Sequence, residues 1–283
     1  MKINFIRHLK YLSYSLYLDR EFLLTSPFSF LYNLKFTFLK YFILAKHLLI
    51  DFKFGKSCVT LDKTIFYNSV YGLVDYQASI VHHYNLIKLS KLEKPEVIID
   101  IGSNVGFFIF LTKKLFPDAT IFGIEPLPNI FAALSSNVGN LDGVILSNVA
   151  VGDEIQSAKM IFDSVDTYQS RISQDGKVSI QVTTLDELLK DRNLSKVDLL
   201  KIDVEGFEEK VLRGAHGILS ISKYLILEII TSDDQVIFSK VVSKLHNPPH
   251  YSFQIRGIHN FDRHKYYVSG ADYLFENVLY KIR

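Results

Sequence analysis

The stretch from Glu96 to Phe108, E-V-I-I-D-I-G-S-N-V-G-F-F, constrains the fold of this chain more than any other. An apolar run ends in Asp100, and Gly102 and Gly106 then bracket a short polar turn before a second apolar run begins. That order predicts a buried parallel strand, a tight turn and a helix N-terminus. A glycine at 102 lets the backbone turn sharply and lets a ligand come close to main-chain atoms. Gly106 carries no Cβ that would hold the new helix off the strand. The expected site is one for a nucleotide.

The spacing narrows which nucleotide. A dinucleotide fingerprint needs G-x-G-x-x-G, so that a pyrophosphate can rest on the helix N-terminus. Here the position of its first glycine is Asp100, whose carboxylate would repel phosphate. A carboxylate there would instead attract a cation, such as the ammonium group in the methionine part of S-adenosylmethionine. The pattern D-x-G-x-x-x-G therefore fits that cofactor better than NAD; the other reading is a plain glycine turn between strand and helix.

The 283 residues suffice for one large domain or a domain with an appendage, and a formal net charge of +2 implies no polyanion partner. No concentrated basic stripe crosses the central region, so nucleic-acid binding is not expected. Cys58 is the single cysteine. It can form neither an internal disulfide nor a thiolate zinc site, which favours a reducing, cytoplasmic setting and a role as a small buried hydrophobe. Charged residues interrupt every early apolar run, and the uncharged stretch Phe22 to Leu34 contains Pro27. Neither a secretory signal nor a membrane-spanning helix is expected.

Residues 1–60 differ from the rest. They are crowded with Phe, Tyr and Leu and carry Lys35, Lys40, Lys46, Lys53 and Lys56, with Asp51 the one acid between Phe22 and Leu61. A helical extension is expected. Two roles stand open: a cap whose aromatic face packs on the main domain, or a peripheral membrane or partner contact through residues 22–60.

Beyond it, Thr64 to Tyr71 reads as extended and Tyr76 to Leu92 as a helix. Strands are expected at Val97–Asp100, Ala119–Glu125, Gly143–Val151, Val197–Ile202 and Tyr224–Ile229. The predicted helices are Val105–Phe116, Pro128–Asn137, Leu185–Lys190 with Thr184 as cap, and Phe207–Arg213. Short strands at Ala158–Phe162 and Val178–Thr183 flank a loop. A helix around Asp234–Leu245 and extended runs at Tyr251–Arg256 and Tyr273–Tyr280 suggest an antiparallel edge. Apolar strands alternating with helices define an α/β class: a doubly wound, mostly parallel, Rossmann-like sheet, here over residues 61–283.

In such a sheet ligands bind beyond the carboxyl ends of the strands, where strand order reverses. Asp100, Glu125 and Asp203 fall at such ends. Glu125, at the tip of the next strand, is placed to accept both ribose hydroxyls of an adenosine, or is an ordinary strand-end acid. Asn104 either bonds the cofactor or simply takes the turn conformation that Asn tolerates. Asn148 and Ala150, at the third strand end, would flank the adenine. Lys201 and Asp203 share one face of their strand, and a charge within an apolar run is costly unless paired. Lys201 is expected to pair with Asp203, Glu205 or Glu228, or the group reaches the reaction centre. Asp203 is then the first candidate to orient the acceptor or take its proton and Glu205 the second, the other reading being that either caps the following helix.

These motifs together carry a resemblance. Val97 to Ile230 resembles the FkbM-type methyltransferases in D-I-G-S-N-V-G-F-F, I-E-P-L-P at 124–128, A-V-G-D at 150–153, T-L-D-E-L at 184–188 and L-L-K-I-D-V-E-G-F-E-E-K-V-L-R-G-A at 199–215. The family pattern reads G-A-N where this chain has Gly102-Ser103-Asn104. The resemblance implies a class I methyltransferase fold, S-adenosylmethionine as donor, and methylation of a hydroxyl on a saccharide or other small molecule. It does not extend to residues 1–60. A methyltransferase-like scaffold without activity, docked on a membrane or glycan-assembly complex through that segment, is the alternative. A dehydrogenase lacks its glycine spacing here, and His246, His250, His259 and His264 have no carboxylate at ligand spacing, so no metal is expected.

Overall fold

A computed structural model describes residues 57–61, 64–68, 94–161, 171–230, 240–248, 250–263 and 268–280, with separate helical positions between 16 and 41. The chain divides into two compact units, residues 1–92 and 93–283. In the first, β1 (Ser57–Leu61) and β2 (Thr64–Asn68) form an antiparallel hairpin, from Ser57 opposite Asn68 to Leu61 opposite Thr64. The end of the expected helical extension is thus a strand, as its β-branched content in C-V-T-L allows. The helix expected at 76–92 lies outside the described residues.

The second unit alternates strands and helices. Strands β3 (Val97–Ile101), β4 (Thr120–Ile124), β5 (Val144–Ser147), β10 (Val197–Ile202) and β11 (Ser222–Ile230) pair in parallel, in the order β11-β10-β3-β4-β5. Their apolar residues, among them Ile99, Ile101, Ile124, Leu200, Ile202 and Leu227, are buried. Helices α1 (Phe107–Leu115) and α2 (Pro128–Val138) join the first three strands, with Pro128 in the first turn of α2, where no backbone donor is lost. Two strand runs were expected at the C-terminal edge. They are β13 (Tyr251–Arg263) and β14 (Val268–Asn277), antiparallel to each other, and β14 inserts between β13 and β11. The short β12 (His246–Asn247) closes that side.

The strand expected over 143–151 is two strands. After β5 the chain leaves the main sheet at Asn148, whose side-chain amide donates to the carbonyls of Glu125 and Pro126 at 2.9 and 3.0 Å. It then enters β6 (Ala150–Val151), which belongs to a separate four-stranded sheet with β7 (Gln156–Ile161), β8 (Arg171–Ile172) and β9 (Val178–Thr183). Helix α3 (Leu185–Leu189) starts as expected, with Thr184 Oγ1 accepting from Glu187 N at 3.1 Å. Helix α4 (Glu208–Arg213) also matches its expected place, but α5 (His216–Ser220) was not expected. Its first-turn N–H groups donate to Asp186, a carboxylate supplied by α3 and invisible to a local reading.

The chain runs from β3 to β4 and β5 on one side and from β10 to β11 on the other. Strand order therefore reverses between β3 and β10, which opens the crevice beside the turn after Ile101.

Candidate functional site

The turn after β3 is built around Gly102, whose φ is +80°. A Cβ there would stand 1.8 Å from the carbonyl oxygen of Asp203, so β10's exit loop is packed on the glycine itself. Its N–H and that of Ser103 both donate to Ile124 O at 3.0 Å, tying the turn to β4 on its other side. Gly106, at φ +94°, begins α1, and a Cβ on it would press on Leu134 and Val138. The close approach it permits is thus between α1 and α2, not between helix and strand.

Glu125 is buried at the end of β4. One carboxylate oxygen accepts from Asn104 N at 3.1 Å and the other from Leu127 N at 3.0 Å. Asn104 reaches this bond from a left-handed conformation, φ +48°, which Asn tolerates better than most residues. Burial pushes Glu125 up to about 7, against the two backbone donors that favour its charged form. Each of its oxygens keeps a lone pair beyond the bond it already makes.

On the β10 side, Lys201 lies in register with Asp100 across the parallel pair. Its Nζ is 3.0 Å from Asp100 Oδ1 and 3.2 Å from Asp203 Oδ2, and 5.5 Å from the ring centroid of Phe108. It also lies 3.4 Å from Gly102 O. Both Lys201 and Asp100 are fully buried. Lys201 meets Asp100 as a buried ion pair. Burial holds the Asp100 carboxyl above its usual range, with the Lys201 cation opposing it. The sequence reading named Asp203, Glu205 and Glu228 as partners for Lys201. Asp100 joins them because β3 and β10 are neighbours, an adjacency that no local pattern encodes. The cation expected beside Asp100 is thus supplied, at least in part, by the chain.

Asp203, Glu205 and Glu228 bring one carboxylate oxygen each within 4.8 Å of one another. Glu228 is buried near the end of β11, and Glu205 sits at φ +53°. Phe207, the residue before α4, makes no side-chain cap, and Glu208, buried in the first turn, accepts from Gly206 N at 2.9 Å. Burial raises the Glu208 carboxyl above its usual range. Of the two remaining expected residues, Asn148 holds the Glu125–Pro126 loop and Ala150 is buried in β6, paired with Val182. Sequence reasoning missed Ser103. Its buried hydroxyl donates to Asp100 O at 2.9 Å and accepts from Ile124 N at 3.0 Å, so it fastens the turn to β4. The signal was present as a polar residue inside the glycine turn, but turns carry serine for many reasons.

A parallel sheet with its switch point at a glycine turn, a buried strand-end glutamate beside that turn and antiparallel strands beyond β11 define a class I methyltransferase domain. Residues 100–264 match the Methyltransferase FkbM domain. The chain belongs to this family, which implies S-adenosylmethionine as methyl donor. The residues present fit that donor through the spare acceptor positions on Glu125, whereas the close approach at Gly102 is taken by the Asp203 carbonyl. Among curated relatives, the hexuronic acid methyltransferase AglP of Haloferax volcanii is 27% identical over 159 residues, 55% of this chain and 65% of its own. The 2-O-methyltransferase NoeI of Sinorhizobium fredii is 28% identical over 179 residues, 56% of this chain and 72% of its own. The match thus spans just under two thirds of the first relative. A crystal structure of methyltransferase FkbM from Methylobacillus flagellatus aligns with a TM-score of 0.46 and 16% identity, over 68% of this chain and 46% of that one. The inactive-scaffold alternative finds no support in these matches. No helix among the described residues is long and apolar enough to cross a membrane.

Proposed function

We propose that this protein methylates a hydroxyl group of a saccharide or another small polyol. The observation that carries this reading is the convergence of Asp203, Glu205 and Glu228 at the strand ends, directly beside the cofactor turn. The names of the two curated relatives, one acting on a hexuronic acid and one a 2-O-methyltransferase, support the acceptor class.

S-adenosylmethionine supplies an electrophilic methyl group with a neutral leaving group. In this reading Glu125 accepts the ribose hydroxyls, Asn104 and Gly106 shape the turn around the methionine part, and Asn148 and Ala150 border the adenine. The acceptor oxygen forms its new bond to the methyl carbon as the carbon–sulfur bond breaks, and its proton passes to Asp203. An alcohol is a weak nucleophile at neutral pH, so a positioned base is required. Glu205, with a carboxylate oxygen within 4.8 Å of one on Asp203, orients the acceptor. Lys201 holds Asp203 in place by the ion pair at 3.2 Å. The remaining rate enhancement comes from alignment and exclusion of water.

Titration calorimetry with S-adenosylhomocysteine tests the cofactor half: Glu125→Ala weakens binding by about 1–3 kcal/mol, the scale of lost charge-assisted bonds. Asp203→Asn tests the other half, in a methyl-transfer screen of uronic acids and other sugars. It lowers kcat by about 10²–10⁴-fold and leaves S-adenosylhomocysteine affinity intact. Full activity in Asp203→Asn would remove Asp203 as the base.

A further inference from the structure

Among the described helical positions between 16 and 41, several large apolar side chains face water while two polar ones are buried. Leu24, Phe30, Leu31 and Phe38 are 71%, 65%, 61% and 70% exposed, while Asn33 is 1% exposed and Asp19 is buried, accepting a hydrogen bond from the Tyr41 hydroxyl. Leu31, Lys35 and Phe38 are spaced four and three residues apart, so they share one helix face, and all three are exposed. A helix that turns large apolar side chains to water and polar ones inward costs free energy unless something covers the apolar face.

The charge of the segment points to what covers it. Between Phe22 and Leu61 the chain carries five lysines against Asp51 alone, although the whole protein is nearly neutral at +2. Apolar anchors flanked by lysines fit the boundary between headgroups and acyl chains of an anionic bilayer, where the apolar groups sink in and the ammonium groups meet lipid phosphates. Lys35 lies on the apolar face itself, and its aliphatic stem lets its charge reach back to the headgroups. We infer that the N-terminal unit seats this protein peripherally on an anionic membrane surface through Leu24, Phe30, Leu31 and Phe38, with its lysines reading the lipid charge. This attachment is independent of the methyl-transfer reading.

Flotation of the full-length protein with phosphatidylcholine vesicles, and with vesicles of equal parts phosphatidylcholine and phosphatidylglycerol, tests it. The protein floats with the anionic vesicles and is largely released by high salt. The triple change Leu24→Ser, Leu31→Ser and Phe38→Ser lowers the partition coefficient about a hundredfold, taking about fivefold for each partly inserted side chain. Lys35→Gln, an exposed change that keeps the apolar face, lowers it about fivefold and on anionic vesicles only. Circular dichroism and S-adenosylhomocysteine affinity matching the parent verify that both variants are folded. Absence of flotation with either vesicle, or flotation that neither variant reduces, overturns the inference. Sedimentation of the parent as a dimer that the triple change converts to monomer, without vesicle binding, would assign the face to a second copy of the chain instead.

Discussion

At the carboxyl end of β3 the two neighbouring strands hold their acids by different means. On the β4 side, Glu125 faces two neutral backbone donors, from Asn104 and Leu127. On the β10 side, Asp100 and Asp203 share the full charge of Lys201. Both Glu125 and Asp100 are buried, and burial raises both, but only on the β10 side is a cation within ion-pair distance. Neutral donors leave an acid that titrates near neutrality and retains acceptor capacity for a ligand. A buried lysine makes a fixed charge cluster that frames the turn and holds Asp203 beside it. One turn thus has a side suited to exchanging hydrogen bonds with a cofactor and a side suited to holding its own geometry.

Gly102 belongs to both sides, so its replacement breaks the comparison most completely. Its N–H bonds to β4, and its Cα rests against the Asp203 carbonyl. Gly102→Ala places a methyl group on a backbone oxygen at a positive φ, and a loss of more than about 4 kcal/mol is expected in urea denaturation. Gly206→Ala is the control. It has a similar φ of +96° but nothing within 4 Å of its Cβ, so only the conformational cost of about 1–2 kcal/mol remains.

Next in size, Lys201→Met removes the cation from the β10 side and leaves Asp100 buried without its partner. Destabilisation by about 3–5 kcal/mol is expected in the same assay, and adding Asp100→Asn recovers part of it. An effect of Asp100→Asn that is the same in the parent as in Lys201→Met would show that the pair is not coupled.

On the β4 side the test is a pH series. The folded pKa of Glu125, about 7, lies above its ordinary 4.5. Its contribution to stability is fully present below pH 4.5 and is lost as pH rises through 7, a fall of roughly 3 kcal/mol for this group. Glu125→Gln removes that slope and gives up one backbone hydrogen bond, because an amide nitrogen then faces an N–H donor. In the parent protein, S-adenosylhomocysteine affinity moves the other way. It rises by up to about tenfold per pH unit below 7 as the carboxylate proposed to accept the ribose hydroxyls forms. Affinity independent of pH between 5 and 8 would separate Glu125 from the cofactor.

The elements that proved legible from sequence were those with local causes. Periodicity and punctuation located β3, β4, β10, α1 and α2, because an apolar run closed by Gly, Pro or Asp reads the same in any context. Strand-end acids were visible for the same reason: a carboxylate at the end of an apolar run, beside a glycine, has few structural uses. The break at Asn148 was not visible, since V-I-L-S-N-V-A-V alternates well enough for one strand and only the carbonyls of Glu125 and Pro126 draw the chain aside. Helix α5 was hidden because its cap comes from Asp186. The bond from Gly206 N to Glu208 was not visible either, since it depends on how the turn before α4 is wound.

By itself, the sequence determined a glycine turn between a buried strand and a helix, a glutamate one strand later, and an acid-rich turn after a lysine-bearing strand. Those features follow from steric and solvation rules that act over a few residues. Only the tertiary structure decided that β3 and β10 lie side by side, so that Lys201 meets Asp100 as well as Asp203, and that Glu228 converges on Asp203 and Glu205 from β11. Strand order is set by how the whole core packs, and charges buried in adjacent strands find their partners only once that order exists.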